Sequence, residues 1–486
     1  RSCFRHPSAP PEKMWLLLWP AALVACAQAR TLDVRDFGAM YSKAAGNTTT
    51  LVSNALAVTR ALAAAKPGDT VLVPRDLEGA ALWSTGGIRG EGLRRVTLQV
   101  EGALRAAGGW DAWPHGNKGL GSLSNKKHAG DFEPFIFLGD SSSLTLTGGG
   151  SIDGAGKVWW DRYIVRPLPA KRPKLIIINN VTDLVVQHLA LTNSPSFHLD
   201  ISDSVRVEVH HVNVTVDRKM PVWDPKLNPA DLNTDGFDLS GRDIWVHHCS
   251  IINDDDSIAV KPCGARSCFN TKCTENLLIE DMRLTGFGAS IGSVPPVPPP
   301  EGGKFGHCVR NVTFRRIDMP GTGKGVYIKS NPDCGPDNTK TALIADVLYE
   351  DITIEKPSWW AVWIGPQQQH EPGSKLEEKC ALSYPIDSHC PTQGCVTFQN
   401  ITLRRINVTD PLMSPGVLLG NASNPMDVKF EAVVFKYSNP LGGRFPWGRK
   451  FRCRDAKVAY DSSTSPAPVC TDDASDFVQM PERMFV

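Results

Sequence analysis

The chain has almost no net charge: 52 Lys and Arg stand against 51 Asp and Glu. So close a balance excludes the broad basic surface that nucleic acid or an anionic membrane would need, and any charged ligand has to be recognised by local charge. Long apolar runs are also scarce. The run Met14–Val24 (MWLLLWPAALV) is too short to span a bilayer. Lys13 precedes it and the small-x-small triplet Ala27-Gln28-Ala29 follows it, which together read as an export signal. Arg1–Lys13 then lies upstream of an initiator Met14. The expected organisation is a leader over residues 1–29 and one domain over 30–486, secreted, with neither nucleic acid nor membrane as partner. Extended helical periodicity is missing as well, which disfavours a barrel of alternating strands and helices.

Cysteine is not scarce, but none of its spacings matches a standard zinc-ligand pattern. Of 13 Cys, eleven remain once Cys3 and Cys26 leave with the leader. They include Cys263, Cys268 and Cys273, then Cys380, Cys390 and Cys395, with Cys453 and Cys470 near the end. In an oxidising compartment these are loop staples, and an odd number leaves at least one thiol unpaired within the chain. Seven Asn-x-Ser/Thr sequons, among them Asn47, Asn180 and Asn421, agree with an exported glycoprotein.

What is abundant is a repeat. The pattern apolar-x-apolar-x-x-apolar-x-apolar occurs as LVVQHLAL from Leu184, VEVHHVNV from Val207, IWVHHCSI from Ile244 and LLIEDMRL from Leu277. It returns as VTFRRIDM from Val312, VLYEDITI from Val347, VTFQNITL from Val396 and VKFEAVVF from Val428. Each copy is two short period-2 segments joined by two polar residues, hence two strands and a bend. One such unit cannot bury its apolar face alone, whereas stacked copies bury a continuous core. The expected fold is all-β, a single-domain parallel β-helix, in preference to a β-sandwich. Thr31–Ala39, Asp69–Val73, Val96–Val100 and Leu144–Thr147 read as further strands. Val58–Lys66 reads as a helix that caps the N-terminal end. The Pro-rich VPPVPPPEGG from Val294 is a loop between coils, and the tail after Arg444 shows little repeat character.

Two acidic motifs frame one copy of the repeat. The first is Asn233-Thr234-Asp235-Gly236-Phe237-Asp238, and the second is Asn253-Asp254-Asp255-Asp256-Ser257 leading into IAVK. Asp235 and Asp256 are 21 residues apart, close to one coil, so they fall on neighbouring rungs about 4.8 Å apart. Carboxylates that close repel, and at least one pKa rises. Glycosidic hydrolysis uses such a set, with one protonated carboxyl as acid and one carboxylate as base on water. A solvated acidic turn and a Ca²⁺ site are the other readings of the same residues.

Four motifs in this order resemble the polygalacturonase-like glycoside hydrolases, family 28. They are Asn233-Thr234-Asp235-Gly236, Asp255-Asp256, Gly286-Phe287-Gly288-Ala289-Ser290-Ile291-Gly292-Ser293 and Tyr327-Ile328-Lys329, within a resemblance covering roughly Thr31 to Phe435. The resemblance implies a right-handed parallel β-helix, inverting hydrolysis of a pectic polysaccharide or oligogalacturonide, a monomer, and no metal or cofactor. It implies Asp255 as general acid, Asp235 and Asp256 as the carboxylates that activate water, Asn233 as a positioning residue and Lys329 as a contact to a uronate carboxylate. Two positions depart from the family pattern. Phe287 stands where His is usual, and Tyr327 stands where a substrate-binding Arg is usual. Tyr327 offers a hydroxyl and a ring face to substrate but no charge.

His307, Lys261, Lys324, Arg315 and Arg316 are the groups that could replace the missing cation, and sequence alone does not choose among them. Trp359, Trp360 and Trp363 fit either a sugar-stacking surface or a packed core. His210-His211 and His247-His248 fall in the polar joints of the repeat and are expected to be exposed. A Ca²⁺-dependent lyase and a non-catalytic pectin-binding protein are the alternative functions.

Overall fold

A computed structural model of the chain describes residues 29–110, 113–114, 131–165, 171–217, 233–264, 273–331, 333–368, 380–381, 384–385, 388–392 and 394–469. The leader reading, Cys268 and Cys470 lie outside these residues. The repeat does what its period dictates. Ile176–Thr192 runs parallel to Leu199–Thr215, with Leu184 beside Val207 and Leu191 beside Val214. Leu277 then pairs with Val312, and Val312 with Val347. The apolar positions turn inward into one continuous core that includes Val186, Val209, Val246, Ile279, Phe314 and Tyr349. The result is the expected parallel β-helix. At 25 cal/mol or so per Å², stacking is the term that makes a strand pair with no hairpin of its own stable.

The two-residue polar joints are the corners. His188, His211, His248, Asp281, Arg316, Asp351 and Arg405 all have φ between 50 and 55°. The left-handed region turns the strand and throws the joint outward. Polar side chains are therefore stacked along one outer edge. From Asp281 onward they alternate in sign, with Arg316 Nε donating to Asp281 at 2.7 Å and Arg405 Nε to Asp351 at 2.6 Å.

Three expectations change. The copy at Val396 is out of register: Val347 pairs with Ile401 and Glu350 with Arg404, so ITLRRINV from Ile401 is the true rung. Each coil carries a second apolar strand just upstream, with the same alternation, and the eight-residue pattern cannot tell the two apart. The helix spans Thr48–Ala64 rather than starting at Val58, because the Asn47 side chain accepts the Thr50 N–H and caps it there. Its Leu51, Ala55, Val58 and Leu62 are buried against the strands of the first coil. The tail after Arg444 adds another rung, in which Phe451–Arg454 pairs with Gly416–Leu419 and Ala456–Tyr460 with Met426–Phe430.

Disulfides Cys273–Cys308, Cys334–Cys395 and Cys380–Cys390 staple loops, and two of them join the cysteine clusters to residues outside them. Cys249 is a free, buried thiol, in line with the odd count.

Candidate active site

Phe237 pairs with Ile258, and Ile258 with Ala289. Asp235 and Asp256 each lie two residues before this row, so the turn between coils delivers them to adjacent rungs. Asp235, Asp255 and Asp256 each place a carboxylate oxygen within 4.8 Å of the other two, and all three residues are buried.

The turn is held by Asn253. Its carboxamide donates to the carbonyls of Thr234, Asp255 and Asp256, each at 3.0 Å, while its oxygen accepts the Ser257 hydroxyl at 2.8 Å. Gly286 closes the next turn against it. Its φ is +51°, and a Cβ there would sit 2.1 Å from the Asp255 carbonyl oxygen, so only glycine fits.

The three carboxylates differ in their partners. Asp256 accepts a hydrogen bond from the Ser290 hydroxyl at 2.8 Å and holds the Lys329 ammonium at 2.5 Å. Asp255 accepts the Asn233 and Asp256 backbone N–H groups, both at 2.8 Å. Burial nonetheless raises its pKa, helped by the charge of Asp256. Asp235 has one oxygen, Oδ1, with no hydrogen-bond partner. Burial, then Asp255 and Asp238, push its pKa well above the ordinary carboxylate range. Asp235 and Asp255 therefore both hold a proton more tightly than an ordinary aspartate does.

Asn233 thus meets the cluster through its main chain, and φ of +65° is what turns its N–H toward Asp255. Lys329 touches Asp256 rather than standing free. Tyr327 is only 2% exposed, and its hydroxyl accepts the Gln368 N–H at 3.3 Å. Its ring carries two ammonium groups, Lys324 at 3.7 Å and Lys329 at 4.6 Å from the centroid. Phe287 lies on the far side of Lys324, 5.3 Å from its Nζ. The side chains at the two departing positions therefore embrace one buried lysine, whose pKa burial and Lys329 push well below normal.

Among the other cations, His307 is buried with Nδ1 on the Pro295 carbonyl at 2.6 Å. Arg315 and Arg316 pair with Glu280 on the corner ladder. Trp359, Trp360 and Trp363 are buried in an aromatic cluster with Tyr384 and Trp447, which resolves them as core. Lys261 stands beside the triad, its side chain 29% exposed, with Nζ 3.4 Å from Asp238 and 3.9 Å from Asp235. Ser290 and Asp238 sit inside motifs already quoted, so their signal was present. Asn253 opens the second quoted motif and Lys324 was among the candidate cations, but their contacts form only where coils meet.

The family model described as Glycosyl hydrolases family 28 matches residues 73–441. The probable endo-xylogalacturonan hydrolase A of Aspergillus fumigatus is 27% identical over 301 residues, covering 61% of this chain and 64% of that protein. The endo-polygalacturonase of Pectobacterium carotovorum is 27% identical over 315 residues, covering 62% of this chain and 65% of that protein. Both alignments span a little under two thirds of the relative. The crystal structure of endo-xylogalacturonan hydrolase from Aspergillus tubingensis superposes with TM-score 0.62 at 20% identity, over 90% of this chain and all of that one. Polygalacturonase from Erwinia carotovora gives 0.60 at 21% identity, over 88% and 96%. These likenesses fix the fold as the right-handed parallel β-helix, and with the family match spanning well over half of the sequence, this chain belongs to glycosyl hydrolases family 28.

Proposed function

We propose that the chain is an exported, monomeric hydrolase of a pectic polyuronide, and that Asp255, Asp235 and Asp256 carry the chemistry. The observation that carries this reading is the buried triad with oxygens within 4.8 Å, charge-matched by lysines rather than left to collect a cation. Asp255 protonates the glycosidic oxygen as the bond breaks. With Asp255 as the acid, Asp235 and Asp256 are the bases, and a water between them loses its proton as it attacks the anomeric carbon. Lys329 and Ser290 hold the Asp256 carboxylate in place, one on each oxygen.

An anionic substrate is supported by the surface beside the triad. Lys174 and Lys261 lie 4.4 and 5.6 Å from the ring centroid of Phe197, and both side chains are about one-third exposed. A ring between two ammonium groups offers a sugar face a platform and its carboxylate a partner. The leader and the sequons support export, and no helix among the described residues is long and apolar enough to cross a membrane.

The deciding assay is purified protein on polygalacturonate, xylogalacturonan and rhamnogalacturonan with chelator present, reading reducing ends and unsaturated products. New reducing ends without unsaturation on one of these substrates are expected. Unsaturated ends that vanish with chelator would instead identify a Ca²⁺-dependent eliminase using the same three carboxylates, and binding without turnover would identify a pectin-binding protein.

A further inference from the structure

Along the outer corner of the helix, acidic and basic side chains alternate from Asp281 onward and satisfy one another. The three preceding rungs break that rule. They carry His188, then His210 and His211, then His247 and His248, five imidazoles with no acid between them on the corner itself. His210 lies flat on His247, with centroids 5.0 Å apart and planes 4° from parallel, and His211 lies on His248 at 5.3 Å and 4°. His188 stacks on His211 at 5.0 Å.

Stacking alone would leave the ring nitrogens pointing anywhere, yet they converge. His210 Nδ1 and His211 Nδ1 are 2.8 Å apart, and His247 Nδ1 and His248 Nδ1 are 2.7 Å apart. One nitrogen each from His188, His210 and His211 lie within 4.8 Å of one another. Glu208 stands behind the rings: its carboxylate is 3.2 Å from His247 Nε2 and 4.0 Å from His210 Nε2. Only the shorter contact is a hydrogen bond, and it fixes the proton on His247 Nε2, on the rung next to the three converging nitrogens.

We propose that His188, His210 and His211 form a surface site for a divalent transition-metal ion of the Zn²⁺, Cu²⁺ or Ni²⁺ class. Three imidazoles suit these ions and leave a coordination position for water or another ligand. The site belongs to a different corner of the coil from the acidic triad, so it is independent of the hydrolytic reading.

The test uses tag-free full-length protein. Zn²⁺ binding is measured by calorimetry, and Co²⁺ is used as a visible-absorption probe of nitrogen ligation. One Zn²⁺ per chain is expected, weakened at least about tenfold in His211→Ala and in His188→Ala. Asp235→Asn should leave that affinity unchanged. Circular dichroism checks folding, and because His188 and His211 are each tested alone, a folding failure in one leaves the other decisive. Absence of saturable binding, or binding indifferent to both histidines and lost in Asp235→Asn, would overturn the site.

Discussion

Lys329 Nζ meets Asp256 Oδ2 at 2.5 Å, and both side chains are almost fully buried. The contact joins residues 73 apart in sequence. It gives this member of the triad a buried cationic partner from a coil further along the chain. Lys329→Met leaves that carboxylate buried without its cation. Breaking a buried pair costs about 3–5 kcal/mol, so urea denaturation should show a loss of that order, with activity falling at the same time. A stability change within error would mean that water replaces the lysine.

Asp255→Asn keeps the size but turns one of the two accepting oxygens into an NH2 donor, so only one of the two backbone hydrogen bonds survives, and it removes the proton that the leaving oxygen needs. Turnover should fall by about 10²- to 10⁴-fold with fold and substrate binding intact. Retained activity would sink the assignment of Asp255 as acid.

Asp238 supplies a pH signature of its own. Burial raises its pKa to about 6, although Lys261 opposes the rise. A carboxyl whose folded pKa is raised stabilises the fold fully below the unfolded value, near 3.8, and that stabilisation is lost as pH climbs through 6. The unfolding temperature should therefore decline over this window, and Asp238→Asn should flatten the decline. Parallel profiles for the two proteins would refute it.

Lys261 lies beside both the acidic triad and the Phe197 ring with its side chain partly exposed, so Lys261→Met should raise KM for polyuronate by about tenfold or more and weaken its salt dependence. A fall confined to kcat would place Lys261 in the triad's support instead, where its contacts to Asp235 and Asp238 also put it.

Stereochemistry is the sharpest test of mechanism. Carboxyl pairs of inverting enzymes usually stand about 6.5–9.5 Å apart, whereas the triad's oxygens lie within 4.8 Å. Asp256 is nevertheless a poor nucleophile, because Ser290 occupies one oxygen and Lys329 the other. NMR of the first-formed product should show the anomer opposite to that of the substrate bond. Retained configuration would make one of these carboxylates a nucleophile.

The sequence by itself determined the coil. Alternating apolar residues, a two-residue polar joint and the 21-residue offset between Asp235 and Asp256 follow from the strand period of two and the need of each rung to bury one face. The order of the four motifs made Asp235, Asp255, Asp256 and Lys329 legible in the same way, since their neighbours in sequence are their neighbours in the turn. What the sequence left undecided belongs to contacts between coils. The register that promotes Ile401 over Val396, the partner of Lys329, the placement of Lys324 between Phe287 and Tyr327, and the stacking of five histidines on one corner all join residues far apart along the chain. A period fixes which way a side chain points. Only the stacked structure decides what it meets there, because that depends on how many residues each intervening loop inserts before the next rung begins.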